Sequence, residues 1–317
     1  MNMQAFKDAQ TAFPFVIAQG RNIEAQIYAR RYPSYDYASI VPVVTEGNEW
    51  AIGTTFMTTD TTGRAKFVSG KGTDVPFVSH SHDQASHDFA QVMLGWEWTM
   101  EEVNQAALYG IPLSATLALA AGDGVDRFLY AQAMKGQDED GNSEKGWTGF
   151  VNDPTVQRFD ADASSADATP AQAAAMVNDA LDAVRTNSAE VETADTIALP
   201  PRLMRRWATQ SQGAGDGTLN VLEYIRRNNI YTAENSGAQL RIVSTRALNG
   251  AGTGGADRIV AYRYDREVLR FHLPMPKRVI PARQASLQGF EQAVMARTGG
   301  VEIRLPGAMA YCDVPLG

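Results

Sequence analysis

Residues 99–135 read TMEEVNQAALYGIPLSATLALAAGDGVDRFLYAQAMK and carry the strongest helical signal in the chain. Apolar or small residues recur at Val103, Ala107, Leu108, Ile111, Leu113, Leu117, Ala121, Val125, Phe128 and Leu129, the three-to-four spacing of one helix face. Thr99 and Glu102 have the spacing of a capping box, in which the hydroxyl accepts the N–H of residue 102 and the carboxylate reaches back to the cap. Glu101 and Glu102 also suit the positive end of the helix dipole. Gly110-Ile111-Pro112 predicts a bend or interruption, because proline removes a donor and clashes with the preceding turn. An unbroken helix here would be a rod of about 50 Å, longer than a compact domain of this size needs.

Upstream, residues 49–57 (EWAIGTTFM) and 65–68 (AKFV) flank 58–64 (TTDTTGR). The Thr, Phe, Val and Ile content predicts two strands, and the Thr/Asp/Gly cluster predicts the turn between them. An isolated ribbon is marginal in water, and its outer edges invite pairing with a neighbour. The first 35 or so residues read as an arm: an apolar patch at 12–17 (AFPFVI), then mixed polar sequence and Arg30-Arg31-Tyr32-Pro33, with no sustained amphipathic period. Such an arm needs another surface to order it.

Downstream, residues 135–145 (KGQDEDGNSEK) read as a polar loop and 146–154 (GWTGFVNDP) as a short apolar turn. An acidic linker over 160–167 leads to Thr169-Pro170, a cap and first-turn proline. The helix they open carries Met176, Val177, Ala180, Leu181 and Val184 on one face. Residues 218–227 (TLNVLEYIRR) predict another amphipathic helix through Val221, Leu222 and Ile225. Strands follow at LRIVSTRAL, RIVAYRY and VLRFHL between 239 and 273, then at 301–305 (VEIRL) and 308–314 (AMAYCDV). No internal repeat is visible. The fold class is α+β.

Composition narrows the function. At 317 residues, 44% hydrophobic and 20% charged, the chain is neither disordered nor fibrous. No apolar run reaches the roughly 18–20 residues of a membrane-spanning helix. Residues 1–10 are polar, without a basic-then-apolar leader, and the single cysteine, Cys312, permits no intrachain disulfide; both fit folding in a reducing cytosol. A net charge of -8 argues against a free-standing nucleic-acid binder, which is usually basic.

Two motifs invite chemistry. His80, His82 and His87 lie with Asp83 and Asp88 within nine residues, a composition that can bind zinc or a similar metal. Their spacing matches neither a helical HExxH pair nor a zinc finger, and the segment reads as a polar connector. Gly250, Gly252 and Gly255 match G-x-G-x-x-G. A dinucleotide site needs a helix after that motif; here a strand follows, so a hairpin tip is expected. There is no phosphate-binding loop of the G-x-x-x-x-G-K-[ST] type and no G-x-S-x-G elbow. Cys312 reads as strand packing, and Arg202, Arg205, Arg206, Arg226 and Arg227 either as basic clusters that meet nucleic acid or a neighbour's carboxylates or as solvated helix faces with a few ion pairs. No residue is put forward as catalytic, cofactor-binding or metal-ligating.

The order of these parts resembles the tailed-phage major capsid protein, whose architecture, named after a Hong Kong coliphage or called the Johnson fold, is shared with encapsulin shells. The local matches are WTMEEVNQA from Trp98, the G-[WL]-x-G-[FL]-x-N turn within 146–154, TLNVLEYI over 218–225 and Gly299-Gly300-Val301-Glu302-Ile303. They are similar in particular to a capsid subfamily long known as a domain of unknown function. The resemblance implies an N-arm over 1–44, an extended loop (β-ribbon) over 45–79, and a peripheral domain over 80–160 with the helix of 99–135 as its spine. It further implies an axial α/β domain over 161–274, whose 250–255 tip faces an axis or a neighbour, and a return to the peripheral domain over 275–317.

With that layout come expectations of function. The chain would be a structural subunit, not an enzyme and without cofactors, that self-assembles through hexamers and pentamers into an icosahedral shell. The shell would enclose double-stranded DNA without sequence-specific binding and without a membrane. Portal and decoration proteins are implied partners. No long helical region precedes the arm, so a separate scaffolding protein, or none, is implied, and a start at Met1 speaks against N-terminal cleavage. Location in the virion, after assembly in the bacterial host cytoplasm, follows from the same likeness. Some relatives cross-link a loop lysine to an asparagine; Lys66 and Lys71 lie in the matching loop, but nothing marks a partner asparagine. Three alternatives stand beside this reading: an encapsulin-like compartment, a metal-dependent enzyme using His80, His82 and His87, and a nucleotide-binding oxidoreductase.

Overall fold

A computed structural model of the chain describes residues 35–62, 79–108, 113–138, 140–211 and 219–316. The expected arm up to residue 34, the strand at 65–68, Lys66, Lys71 and the Gly110-Ile111-Pro112 break lie outside the described residues.

The chain enters through Tyr35 and Tyr37, buries Ile40 and Val41, and forms a two-residue strand, β1 (Val43–Val44). Two long strands follow, β2 (Gly53–Thr62) and β3 (Ser79–Asp88), paired antiparallel from Gly53↔Asp88 to Thr62↔Ser79. The ribbon corrects two sequence expectations. The turn placed at 58–64 begins too early, because Thr58 to Thr62 continue the strand; threonine's β-branch favours extended backbone, and that preference outweighs the turn signal of the Thr/Asp cluster. The described partner of β2 is Ser79–Asp88, so His80, His82, Asp83, His87 and Asp88 lie on a strand rather than in a polar connector.

After Phe89 the chain forms β4 (Ala90–Thr99), a strand the sequence reading missed. Thr99 then caps α1 (Met100–Leu108). The capping box is present: the Glu102 N–H donates to Thr99 Oγ1 at 3.2 Å and the Thr99 N–H donates to Glu102 Oε2 at 2.8 Å. A second helix, α2 (Leu113–Lys135), follows. The described helix of 99–135 is thus two pieces, and α2 alone spans about 35 Å. It buries Ala121, Val125, Leu129, Ala133 and Met134.

The carbonyls left free at the end of α2 are met by the 146–154 turn. Phe150 and Val151 N–H groups donate to Ala133 and Met134 O at 3.0 Å, and Asn152 Nδ2 donates to Lys135 O at 2.9 Å. Gly149 makes this approach possible: a Cβ there would collide with the Met134 and Lys135 backbone. Phe150 and Val151 are buried beneath it.

β5 (Gln157–Asp160) leads to α3 (Pro170–Asn187), opened by a full capping box of Thr169 and Gln172. The expected face, Met176, Val177, Ala180, Leu181 and Val184, is buried. Then come β6 (Thr196–Leu199), α4 (Pro201–Thr209), α5 (Val221–Arg227) and α6 (Ile230–Glu234). α5 starts later than 218, because Asn220 accepts the Glu223 N–H and so caps it. The remaining strands are β7 (Arg241–Ser244), β8 (Asp257–Tyr262), β9 (Leu269–His272), β10 (Met275–Val279), β11 (Arg283–Gln284), β12 (Gly289–Thr298), β13 (Gly300–Ile303) and β14 (Met309–Val314).

Four sheets result. β1 lies parallel to β9, with β13 antiparallel on its other side. β12 pairs β4 over ten registered positions, Gly289↔Thr99 to Thr298↔Ala90, and β10 and β11 share its opposite edge. A five-stranded sheet runs β5-β14-β8-β6-β7, so the last strand sits between β5 and β8. The ribbon is the fourth. Alternate residues of β8 and β14 face two cores. Val260, Tyr262, Met309 and Tyr311 join α2, Ile40, Phe150 and Phe271. Ile259, Ala261, Cys312 and Val314 join α3, Leu203, Trp207, Val221 and Ile225. Each such large aliphatic side chain contributes about 1.5–3 kcal/mol by leaving water.

Candidate assembly surface

The ribbon is rooted in a cluster of rings and charges. The Phe89 N–H donates to Ile52 O at 2.7 Å, closing the base of the ladder. His87 donates from Nε2 to Gly299 O, which requires the proton on that nitrogen. Its ring stacks on Trp147, centroids 6.0 Å apart, and meets His272 at 5.4 Å. Arg304 lies over the Phe56 ring at 4.4 Å. Gly299 has no room for a side chain: a Cβ would stand 2.7 Å from the Phe89 ring.

Beneath these rings His272 and Glu302 form a buried pair at 2.7 Å, and Arg304 Nε reaches the same carboxylate oxygen at 3.2 Å. Burial lowers the His272 pKa, outweighing the opposing pull of Glu302. Burial pushes Glu302 up, but the His272 hydrogen bond and charge, with Arg304, hold it below the ordinary carboxylate range. The His272–Glu302 hydrogen bond thus favours the ionised carboxylate. Glu302 Oε1 remains buried without a hydrogen-bond partner.

Beside the root, residues 49–51 lie on the outer face of the β4–β12 sheet. Arg297 donates to Glu49 O at 2.6 Å and Ala51 O at 2.8 Å. Arg278 pairs with Glu49 at 3.1 Å. Both guanidinium groups lie within 6 Å of the Trp50 ring, yet Trp50 is 58% and Ile52 83% exposed. Further along the same face, Met93, Glu97, Ile280, Arg283 and Glu291 line an open cleft of about 590 Å³. Exposed apolar side chains ringed by charge mark contact surfaces.

The sequence motifs fall as follows. His82 and His87 are five residues apart on an extended strand, about 16 Å, and the side chains of His80, His82 and Asp83 lie outside what the structure describes. The Gly250–Gly255 loop does run into a strand. Its N–H groups already serve carboxylates of this chain: Gly250 donates to Asp257 at 3.0 Å and Thr253 to Asp313 at 2.9 Å. A pyrophosphate would face those negative charges. Cys312 is fully buried, and burial pushes its thiol up to about 12, which leaves it unreactive. Arg206 donates to the Ser165 and Ala166 carbonyls, Arg226 and Arg227 pair with Glu223, and Arg202 stands 3.8 Å from buried Asp257. The root cluster was not found in the sequence: it joins residues 56, 87, 147, 272, 302 and 304, and no spacing connects them.

The sequence matches the family model for the major capsid protein over residues 63–314. No curated protein matches it. Solved structures match in fold. The capsid of Myoviridae phage XM1 superposes with a TM-score of 0.80 at 16% identity, covering 94% of this chain and 97% of that one. A structure from Mycobacterium phage Ogopogo gives 0.65 at 14% identity, covering 96% and 98%. The capsid of a native GTA particle gives 0.64 at 11% identity, covering 93% and 95%.

Proposed function

The chain belongs to the major capsid protein family, and from that premise we propose that its ribbon is the device by which one shell subunit grips the next. The chain is a structural shell subunit with the α+β fold of phage capsids. The observation that carries the proposal is the ribbon itself: ten rungs long, clamped at its root and, among the described residues, paired with no third strand. A ribbon of that length does not hold itself in water, and its free edges accept a neighbour.

Copies of the chain close through heterologous contacts into pentamers and hexamers of an icosahedral shell, each subunit burying well over roughly 2,000 Å². Residues 1–44 act as the arm, 45–88 as the extended loop, since its return strand runs to Asp88, 89–160 and 275–317 as the peripheral domain, and 161–274 as the axial domain. The closing strand Met309–Val314 pairs with β5 on one side and β8 on the other. The shell confines double-stranded DNA in a virion assembled in the host cytoplasm, with portal and scaffolding or decoration proteins as partners. The net charge of -8 keeps phosphate binding weak. The role needs no catalytic residue and no cofactor.

Electron microscopy of a variant lacking residues 56–85 tests this. Soluble subunits that fail to close into particles are expected. Shells like those of the unaltered protein would overturn the assignment.

A further inference from the structure

Among the described residues the free sheet edges are guarded, with two exceptions. β1 and β11 are two residues long, and β5, β7 and β13 are four. β10 carries Pro276, Lys277 and Arg278, and its register breaks between Met275 and Arg278. Shortness, proline, charge and irregular register are the means by which proteins keep an edge from taking a foreign strand. β4 is built otherwise. It runs for ten residues, AQVMLGWEWT, with no proline, one charge at Glu97 and an unbroken register on β12. Its other edge pairs with no described strand, so alternate N–H and C=O groups along it point away from any partner. The side is open: Leu94 packs towards Gly124 of α2 and is still 43% exposed, and Met93 is 50% exposed.

The ribbon is the second exception, ten rungs from Gly53↔Asp88 to Thr62↔Ser79 with both outer edges free of described partners. The two edges cannot satisfy each other within one copy. β3 ends at Asp88 and β4 begins at Ala90, so Phe89 alone separates them, and the commonest tight hairpins take two residues. β2 leaves Gly53, opposite Asp88, and runs toward Thr62, opposite Ser79, away from β4. Ribbon and β4 therefore lie in series rather than side by side. Every copy thus carries a ten-residue edge and a ten-rung ribbon that fit one another only between copies. Such a contact is heterologous, one patch meeting a different patch, and repeats from copy to copy around a ring.

On the premise that the ribbon grips a neighbouring shell subunit, we infer that the free edge of β4 is where it is received. An outer strand of one copy's ribbon pairs main chain to main chain with β4 of the next, and the β4–β12 sheet continues across the subunit boundary. Backbone hydrogen bonds supply the affinity, and the alternating side chains of β4 set the register.

Hydrogen exchange tests the edge. In the unassembled protein about half of the amides of residues 90–99, those facing away from β12, should exchange freely. In particles they should slow by at least about a hundredfold. Cysteine pairs identify the occupant, because the native Cys312 is buried and stays out of the chemistry. Met93→Cys or Glu97→Cys is combined with a cysteine moved one residue at a time along β2 and β3, and closed particles are oxidised. At least one pairing should give a ladder of linked chains on an unreduced denaturing gel, since a disulfide needs Cα atoms within about 7 Å. The proposal fails if the 90–99 amides exchange alike in both states. It fails if Glu97→Cys alone yields dimers and no ribbon position yields a ladder, the mark of β4 meeting β4 across a two-fold axis. Closed particles that cross-link at no ribbon position overturn it too. The variant lacking 56–85 keeps the premise separate: shells formed by it remove the ribbon's role, whereas loss of closure without any cross-link removes only the receiving edge.

Discussion

Replacing Asp313 by asparagine strands a charged guanidinium inside the protein. Arg258 and Asp313 are 7% and 1% exposed and pair through two parallel bonds, Nε to Oδ1 at 2.6 Å and Nη2 to Oδ2 at 2.9 Å. Arg258 Nη1 donates to Val151 O at 2.6 Å, and Thr253 donates to Asp313 from N–H and hydroxyl. Every charge-bearing atom is thus engaged, and breaking one partner of such a pair costs about 3–5 kcal/mol. Against a total stability of about 5–15 kcal/mol, that is a fifth or more. Urea unfolding of the unassembled protein should show the midpoint fall with an unchanged slope. The double variant Arg258→Met, Asp313→Leu should lose less than the two single changes summed, since no lone charge remains. It keeps a residual cost for the orphaned Thr253 N–H and Val151 carbonyl, about 1–3 kcal/mol each.

Acid gives the same interaction a second reading. Burial pushes the Asp313 carboxyl up, but the bonds from Arg258 and Thr253 outweigh it and the net shift is downward. The native state therefore binds the proton less tightly than the unfolded chain. Its contribution is complete above the unfolded value near pH 4 and is lost as pH falls through the lower, folded value. Asp313→Asn should accordingly lose less stability between about pH 6 and pH 3 than the unaltered protein. A cost below about 1 kcal/mol at neutral pH, or a double variant equal to the sum of the singles, would refute the reasoning.

Other changes have equally definite outcomes. Gly149→Ala places a methyl group into the backbone of Met134 and Lys135, so the turn must leave the end of α2; a loss of at least about 2 kcal/mol in urea unfolding is expected. Thr169→Ala removes the hydroxyl half of the α3 capping box and should cost about 1 kcal/mol, with Thr169→Ser largely restoring it. Cys312, buried and with its thiol pushed up to about 12, should resist a thiol reagent at pH 8 in the folded protein and react once urea unfolds it.

Elements governed by local rules were legible in the sequence. Thr169-Pro170 and the spacing of Met176 to Val184 placed α3 and its buried face, because caps and helical period are written within one stretch of chain. The glycine loop's strand ending was legible for the same reason. Elements governed by distant partners were not. β12, GFEQAVMART, has few β-branched residues; it is a strand because β4, nearly two hundred residues earlier, matches it over ten positions. The ribbon's described return strand was missed because Ser79–Asp88 reads as polar, and its ladder is fixed by β2 opposite rather than by its own composition. The root cluster was invisible because it assembles side chains from several segments.

Since β8 and β14 lend alternate side chains to both cores, they act as a party wall between them. A slip of one residue in either strand would evict the occupants of both rooms at once. The two halves therefore melt together and cannot slide past one another. Any change in the curvature of a shell built from this body falls on its projections. A ten-degree swing about Gly53 and Asp88 alone would carry Thr62 and Ser79, the last described rung, about 30 Å away, through about 5 Å.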